Sequence, residues 1–587
     1  MTYQAAPANE KQPAGKDEVG GLPRTPVNLA FLSWPIIWSI FLTMGWLLPN
    51  HYLPWIAFHT DAWIAWMFAL AGCAVIVSFR DQIAWTWLAL ASALLVPIPL
   101  IQYAAGLLAF SGQAWISTAY LLGFFLSLTV GARWERNRFG QAMDALLFAI
   151  GMAALISVGL QLYQWLSLSG LDVWIMSTDE GRPFGNLIQP NQMATLLLWA
   201  LIAVAWFVHK QKIGPLVAML VAMYLVIGIA LTQSRTAIVA MVLIAVAGWY
   251  WRALWYSRRN LWLGLFLLAF FAICSLAIRP LSEALLLDRP FDVVSRMAVP
   301  NVRLGAYSLF IDALLRRPLS GYGWTAVAPA QLAVAENHVN MQGIYQHSHN
   351  LFLDLMLWVG IPVGGLIVIL IIVWFYRQVR RVKHIEEALL VLFTGVVGWH
   401  AMLELPLHYA YMLLPTGLVM GALGVRLNEP VVLRTGRVGL AICAAAAVTL
   451  LGFITRDYLR MEADFQALRF ERTYKMRPPR KVPDTLVLSQ LEAFIRLGRM
   501  SAKSGMRLAE LSWMRDVTYV FPTRSNLFAY ASALALNGFP EESRLMMMKM
   551  AKVMMPKEYE ELGQLWADQG LQSDKLAAIR WPNATDH

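Results

Sequence analysis

Thirteen stretches of this sequence run for about twenty predominantly apolar residues each, near 28–48, 62–79, 83–101, 114–132, 142–166, 191–209, 213–231, 236–256, 261–279, 350–376, 387–403, 406–425 and 438–456. A helix rises about 1.5 Å per residue, so about twenty residues cross a hydrocarbon core of roughly 30 Å. Lipid offers the backbone no hydrogen bonds, so such segments must satisfy their own. The expected fold class is therefore all-α, a polytopic membrane helix bundle of about 12–13 spans. Composition agrees. Apolar residues make up 58% of the 587 and charged residues 14%, against about 25% charged in soluble domains. A soluble enzyme, a disordered chain and a disulfide scaffold are excluded. Cys73, Cys274 and Cys443 each lie inside an apolar run and read as small hydrophobes, without the spacing of a disulfide or zinc site.

Charge then orients the bundle. The net charge is +11, from 47 Lys and Arg against 36 Asp and Glu. In a soluble chain that excess suggests nucleic acid; in a membrane chain it marks cytoplasmic loops. With the N-terminus inside, the short cytoplasmic loops hold Arg80, Arg133, Arg136, Arg138, Lys210, Lys212, Arg252, Arg258, Arg259, Arg377, Arg380, Arg381, Lys383, Arg426, Arg434 and Arg437, sixteen cations. The short outer loops hold Arg182, with Arg235 at a helix boundary. No nucleic-acid partner is expected. Residues 1–27 read as a disordered cytoplasmic tail without the apolar core of a cleavable signal, so the first span is the targeting signal. Residues 28–456 form the membrane domain, including a large outer loop at 280–349. Residues 457–587 have soluble composition and read as a helical domain on the outer side. Within them Ala531-Ser-Ala-Leu-Ala-Leu-Asn-Gly538, then Pro540-Glu-Glu-Ser543, has the helix–turn–helix rhythm of a tetratricopeptide unit.

Four polar clusters fall on the outer side, where ionisable groups near membrane depth are expensive. Gly181-Arg182-Pro-Phe-Gly185-Asn186 leads through Gln189-Pro190-Asn191-Gln192 into the sixth span. Its glycines and prolines suit a tight loop, Asn191 suits a helix cap, and open N–H groups beside Arg182 would bind an anion. A capped loop with a surface Arg is the plain alternative. Thr232-Gln-Ser-Arg235-Thr236 opens the eighth span with a hydroxylated cap and a cation that opposes the helix dipole; a snorkelling interfacial Arg is its alternative. Gln346-His347-Ser348-His349-Asn350 opens the tenth. A His at a helix N-terminus tends to stay neutral and can accept a proton from a hydroxyl nucleophile. No carboxylate or Cys cluster at ligand spacing accompanies the two His, so no metal is expected. Glu404-Leu-Pro-Leu-His408-Tyr409 opens the twelfth and could orient a catalytic His or bind a sugar. The large loop adds Arg303 and Arg316-Arg-Pro-Leu-Ser-Gly-Tyr-Gly323, a basic turn whose glycines permit close backbone approach.

In order along the chain, Gly181-Arg-Pro-Phe-Gly-Asn186 with Gln189-Pro-Asn-Gln-Met-Ala194, Gln233-Ser-Arg-Thr236, Arg317-Pro-Leu-Ser-Gly-Tyr-Gly323 and His347-Ser-His-Asn350 resemble the motifs of the bacterial O-antigen ligase/polymerase superfamily. Within it, the Gln-Pro-Asn-Gln, His-Ser-His-Asn and Glu404-Leu-Pro-Leu-His-Tyr409 elements and the tail look most like protein O-oligosaccharyltransferases, the pilin-glycosylating ligases. The ligase pattern sets Gly after nine further residues and, past two more, Gly, Thr or Tyr; here His349-Asn350 reaches Gly360, but Val363 takes the last position and Gly364 follows it.

The resemblance implies a glycosyltransferase of the bacterial inner membrane, N-terminus cytoplasmic, catalytic face and C-terminus periplasmic. It would move a preassembled oligosaccharide en bloc from undecaprenyl pyrophosphate to Ser or Thr of a periplasmic, pilin-like acceptor protein, inverting the anomeric centre, without metal or cofactor. His349 would be the catalytic base. Arg182, Arg235 and Arg303 would hold the pyrophosphate. Gln189, Asn191, Gln192, His347, Asn350, Glu404, His408 and Tyr409 would contact glycan or acceptor. An O-antigen ligase or polymerase using a sugar hydroxyl is one alternative. A flippase for lipid-linked sugar is another, though it should carry midplane polar residues and often inverted repeats, and none is visible.

Overall fold

Each of the thirteen apolar stretches falls mainly on helix, as a backbone in lipid requires. The computed structural model describes residues 29–178, 181–255, 258–287, 302–474 and 481–583; the expected tail at 1–27 and residues 288–301 of the outer loop lie outside them. The membrane part comprises α1 (Leu29–Gly45), α2 (Phe58–Ser78), β1 (Ile83–Thr86), α3 (Trp87–Leu95), α4 (Ile98–Ala104), α5 (Ser111–Asn137), α6 (Gln141–Trp165), α7 (Pro190–His209), α8 (Pro215–Leu231), α9 (Arg235–Tyr250) and α10 (Arg258–Ala284). After the outer-loop helices α11 (Val302–Arg316) and α12 (Val327–Val334) come α13 (Leu351–Arg381), α14 (Ile385–Ala401), α15 (Ala410–Arg426), β2 (Val431–Thr435) and α16 (Val438–Tyr474). Among the described residues, eight helical segments are long and apolar enough to cross a membrane, and α1, α8, α9 and α15 are shorter apolar helices. The chain is a multi-pass, all-α membrane protein. The remaining stretch, α14, begins with Glu386 and Glu387 in its first turn.

Two boundaries differ from expectation. The stretch at 83–101 opens as a strand, because Ile83, Trp85 and Thr86 are good strand formers and β2 supplies an antiparallel partner, Ile83 opposite Thr435. Pro97, which has no N–H to donate, then separates α3 from α4. The stretch at 438–456 is only the first half of α16, which runs unbroken through 457 to Tyr474.

The bundle packs around an α5–α15 seam. A Cβ on Gly131 would overlap the Leu418 carbonyl, and one on Gly421 the Leu128 carbonyl; small residues let the two backbones meet, as is usual between membrane helices. Gly421→Val should therefore lower the melting temperature of the detergent-purified chain by several degrees, since overpacking costs about 1–3 kcal/mol, and an unchanged melting curve would refute the seam. At the end of the bundle bearing the basic loops, Arg426 pairs with the buried Glu135 at 2.7 Å and also with Glu386, and Lys210 pairs with Asp144 at 2.9 Å.

The C-terminal helices α17 (Ser489–Gly498), α18 (Leu508–Val520), α19 (Arg524–Leu536), α20 (Pro540–Val553), α21 (Pro556–Gly570) and α22 (Asp574–Ala577) share one apolar core. The expected helix–turn–helix is α19–α20, with Gly538 at φ +90° ending the first helix. Asp457 on α16 accepts the N–H groups of Leu486 and Val487, each at 2.7 Å, and Arg499 binds Asp464 and Glu471 at 2.6 and 2.9 Å. The outer loop is wedged against the same body. Leu332 and Ala335 enter its core, and Asn340 donates to the Ala551 and Met554 carbonyls.

Candidate active site

At the bundle end opposite Arg426, four segments remote in sequence meet. The Asn350 side chain accepts the N–H groups of Phe352 and Leu353 at 2.9 and 3.2 Å and so starts α13. The preceding residue, His349, is held at φ +61°, a left-handed conformation uncommon outside glycine. Its surroundings fix it there: the Tyr307 hydroxyl donates to the His349 carbonyl at 3.2 Å, and the Ser348 N–H donates to Asp354 at 2.8 Å. A second constraint sits at the other end of the first turns of α13. Gly360 takes φ +80°, and its neighbour Ile361 donates to the Pro318 carbonyl at 2.7 Å, while Tyr322 and Gly323 donate to Leu357 and Trp358. The close approach expected of the turn at 317–323 is thus made against α13 itself.

The His349 ring places Nδ1 3.1 Å from the Leu403 carbonyl. A carbonyl can only accept, so this contact assigns the proton to Nδ1 and leaves the lone pair on Nε2. Glu404 Oε2 lies 3.9 Å from the same Nδ1 and 3.6 Å from His347 Nε2. The other Glu404 oxygen accepts from Asn191 at 3.3 Å, and Asn191 Oδ1 accepts from the Ser234 hydroxyl at 2.7 Å. Ser234 caps α9 through the Ala237 N–H, as its position implied. The buried Arg182 donates through Nε to the Thr232 carbonyl at 3.1 Å. Arg235, first residue of α9, is exposed and forms no ion pair with any described residue. One polar chain therefore runs from the segment holding both arginines, through Ser234, Asn191 and Glu404, to the two histidines.

His347, His349, His408 and Tyr409 line a cavity of about 1670 Å³. Its other walls are mostly apolar, from α9, α13 and α14 on one side and α3 and α5 on another, and Gln490, Leu491, Val520 and Phe521 of the C-terminal helices close it. Arg182 and Arg235 do not line this cavity.

Three families match parts of the chain: O-Antigen ligase over residues 218–368, protein glycosylation ligase over 183–207, and virulence factor membrane-bound polymerase, C-terminal, over 388–567. A general O-oligosaccharyltransferase of Acinetobacter baylyi is 28% identical over 522 residues, 86% of this chain and 89% of its own length. A ComP-specific O-oligosaccharyltransferase of the same organism is 26% identical over 324 residues, 55% of this chain and 58% of its own. The chain is thus similar to O-oligosaccharyltransferases and to the O-antigen ligase superfamily. It is accordingly a glycosyltransferase. Each matched region supplies one part of the polar chain: Asn191 lies in the protein glycosylation ligase match, Ser234, Arg235 and the histidines in the O-Antigen ligase match, and Glu404 in the polymerase match.

Several expectations change. Asn191 does not cap α7: Pro190 occupies the first helical position, Gln189 stands at the cap without a side-chain bond, and Asn191 turns to Ser234 and Glu404 instead. The N–H groups of Phe184 and Gly185 in the loop before Gln189 are not open to an anion, because Gln164 accepts them at 3.0 and 2.8 Å. Gln164, a polar residue near the end of an apolar span, was the available signal. Gln192 is fully buried and accepts from the Tyr411 hydroxyl, away from the cavity wall. Asn350 is occupied in capping. Arg303 lies in the first turn of α11, and its side chain falls outside the described residues. Finally, a carboxylate does accompany the histidines: ligand atoms of His347, His349 and Glu404 lie within 4.8 Å of one another, a set that could hold a metal ion. The ground on which a metal was set aside is therefore corrected. The Leu403 carbonyl and Ser234 are contributors that no local pattern marks as such.

Proposed function

We propose that this chain transfers a preassembled glycan from undecaprenyl pyrophosphate to Ser or Thr hydroxyls of a periplasmic, pilin-like protein. It sits in the bacterial inner membrane with its sixteen loop cations cytoplasmic and His349 on the periplasmic side. The observation that carries the reading is the polar chain that links the loop of Arg182 and the turn before Arg235 to a histidine of assigned tautomer on the wall of a mostly apolar cavity. The cavity walls from α9, α13 and α14 suit a polyprenyl tail. His349 Nε2 takes the proton of the acceptor hydroxyl as that oxygen bonds to the anomeric carbon. The bond from that carbon to the phosphate oxygen breaks, and its electron pair leaves on the lipid pyrophosphate. Arg182 and Arg235, with Arg303 as a third candidate, compensate the charge that develops there. A single displacement inverts the anomeric configuration. Within the site, Asn191 and Glu404 orient His347 and His349, while His408 and Tyr409 face the substrates.

In this mechanism pyrophosphate leaves on charge compensation, and His347 and Glu404 hold His349 rather than a metal ion. The purified chain should thus keep its full transfer rate in EDTA; loss that only added metal restores would contradict the mechanism and favour the His347–His349–Glu404 metal site. The reading as a whole is tested by mass spectrometry of periplasmic proteins from cells with and without the gene. Glycan on Ser or Thr that disappears with the gene is expected. Unchanged protein glycans with altered lipopolysaccharide would favour a sugar hydroxyl as acceptor.

A further inference from the structure

Buried polar atoms almost always find hydrogen-bond partners, and a buried Trp N–H is no exception. Two walls of the cavity depart from this. Trp358 is 4% exposed and Gln490 is 4% exposed, both line the cavity, and neither the Trp358 Nε1–H nor the Gln490 carboxamide oxygen has a hydrogen-bond partner among the described residues. Trp358 lies on the short helical stretch that Asn350, next to His349, caps, before the break at Gly360. Its ring is 5.2 Å from the His408 ring and 5.2 Å from that of Trp324, and all three rings line the cavity. Gln490 comes from α17, where it packs against Gly112 so closely that a Cβ there would overlap its carboxamide. The absence of a side chain at Gly112, together with the Gly112 N–H bond to Ser489 at 3.1 Å, seats α17 against α5.

The chemistry of these groups selects their ligand. A polyprenyl tail cannot satisfy an N–H or an amide. A phosphate would call for cations, and no Lys or Arg is among the described residues lining the cavity. A ligand that is neutral, rich in hydroxyl or acetamido groups and flat-faced on its C–H side fits an indole–imidazole pair with one donor, faced by an amide. We propose that Trp358, His408 and Gln490 form a sugar subsite for the glycan residue next to the bond that breaks, so that the C-terminal helices build part of the donor site. This rests on the lipid-pyrophosphate donor reading above.

The test uses the full chain in detergent with two probes, undecaprenyl-pyrophosphoryl-N-acetylglucosamine and bare undecaprenyl pyrophosphate. The wild type should bind the sugar-bearing probe more tightly. Trp358→Phe and Gln490→Met should each reduce that preference by about three- to tenfold, the effect of one lost hydrogen bond, with bare-lipid affinity unchanged as the control for folding. If both lipids bind and neither variant alters the preference, the subsite is refuted while the donor reading stands. If neither lipid binds the wild type, the donor reading fails and takes the subsite with it. A rise confined to the KM for the acceptor protein, with the donor preference intact, assigns these groups to the acceptor and also overturns the proposal.

Discussion

His349→Asn should abolish glycan transfer while leaving a folded chain. A positioned general base contributes roughly 10²–10⁴ in rate, and His349 is held with Nδ1 on the Leu403 carbonyl while its ring lines the cavity. Asn is the informative replacement because it tolerates φ > 0, so the backbone at φ +61° and its bond from Tyr307 can persist. The melting temperature and the affinity for undecaprenyl pyrophosphate should match the wild type, while kcat falls by at least about 10². A variant with more than about a tenth of the wild-type kcat would remove His349 from the chemistry.

The next largest effect is expected at Arg182. The planar guanidinium holds the Thr232 carbonyl through Nε; an ammonium offers a point charge without that geometry. Arg182→Lys should lower kcat about 10- to 100-fold, the range of a charge-assisted hydrogen bond. Arg235→Lys should cost less, because Arg235 is exposed and fixes no neighbouring segment. Equal, small losses at both positions would reduce Arg182 to a brace for the Thr232 turn.

What could be read in advance followed from the strength of each local signal. A run of about twenty apolar residues has one stable form in lipid, so the spans were legible. The extent of α16 was not, because hydropathy stops at its midpoint while the helix continues as the mount for the C-terminal body through Asp457 and Asp464. At 83–86 the β-forming side chains were outvoted by hydropathy until a partner strand, some 350 residues on, made a ladder possible.

The site divides in the same way. Ser234 as a cap and the glycine turn against α13 were readable because each concerns neighbours in sequence or a backbone that must bend. Asn191 was misread because a capping preference is weak beside Pro190, which fixes the first helical position. The pairing of Glu404 with His347 and His349 depends on α13 and α14 running antiparallel, so that the start of one helix lies beside the end of the other; no spacing encodes it. The same holds for Gln490, whose place on the cavity wall exists only once α17 is seated on Gly112.

The central claim is that this one site moves a lipid-linked glycan onto a protein hydroxyl. Its most direct measurement is the intact mass of a purified pilin-like acceptor after incubation with the detergent-purified chain and an undecaprenyl-pyrophosphate-linked oligosaccharide. The account predicts a mass gain of one whole glycan on a Ser or Thr, absent with His349→Asn. An acceptor of unchanged mass beside glycan joined to another saccharide would contradict it.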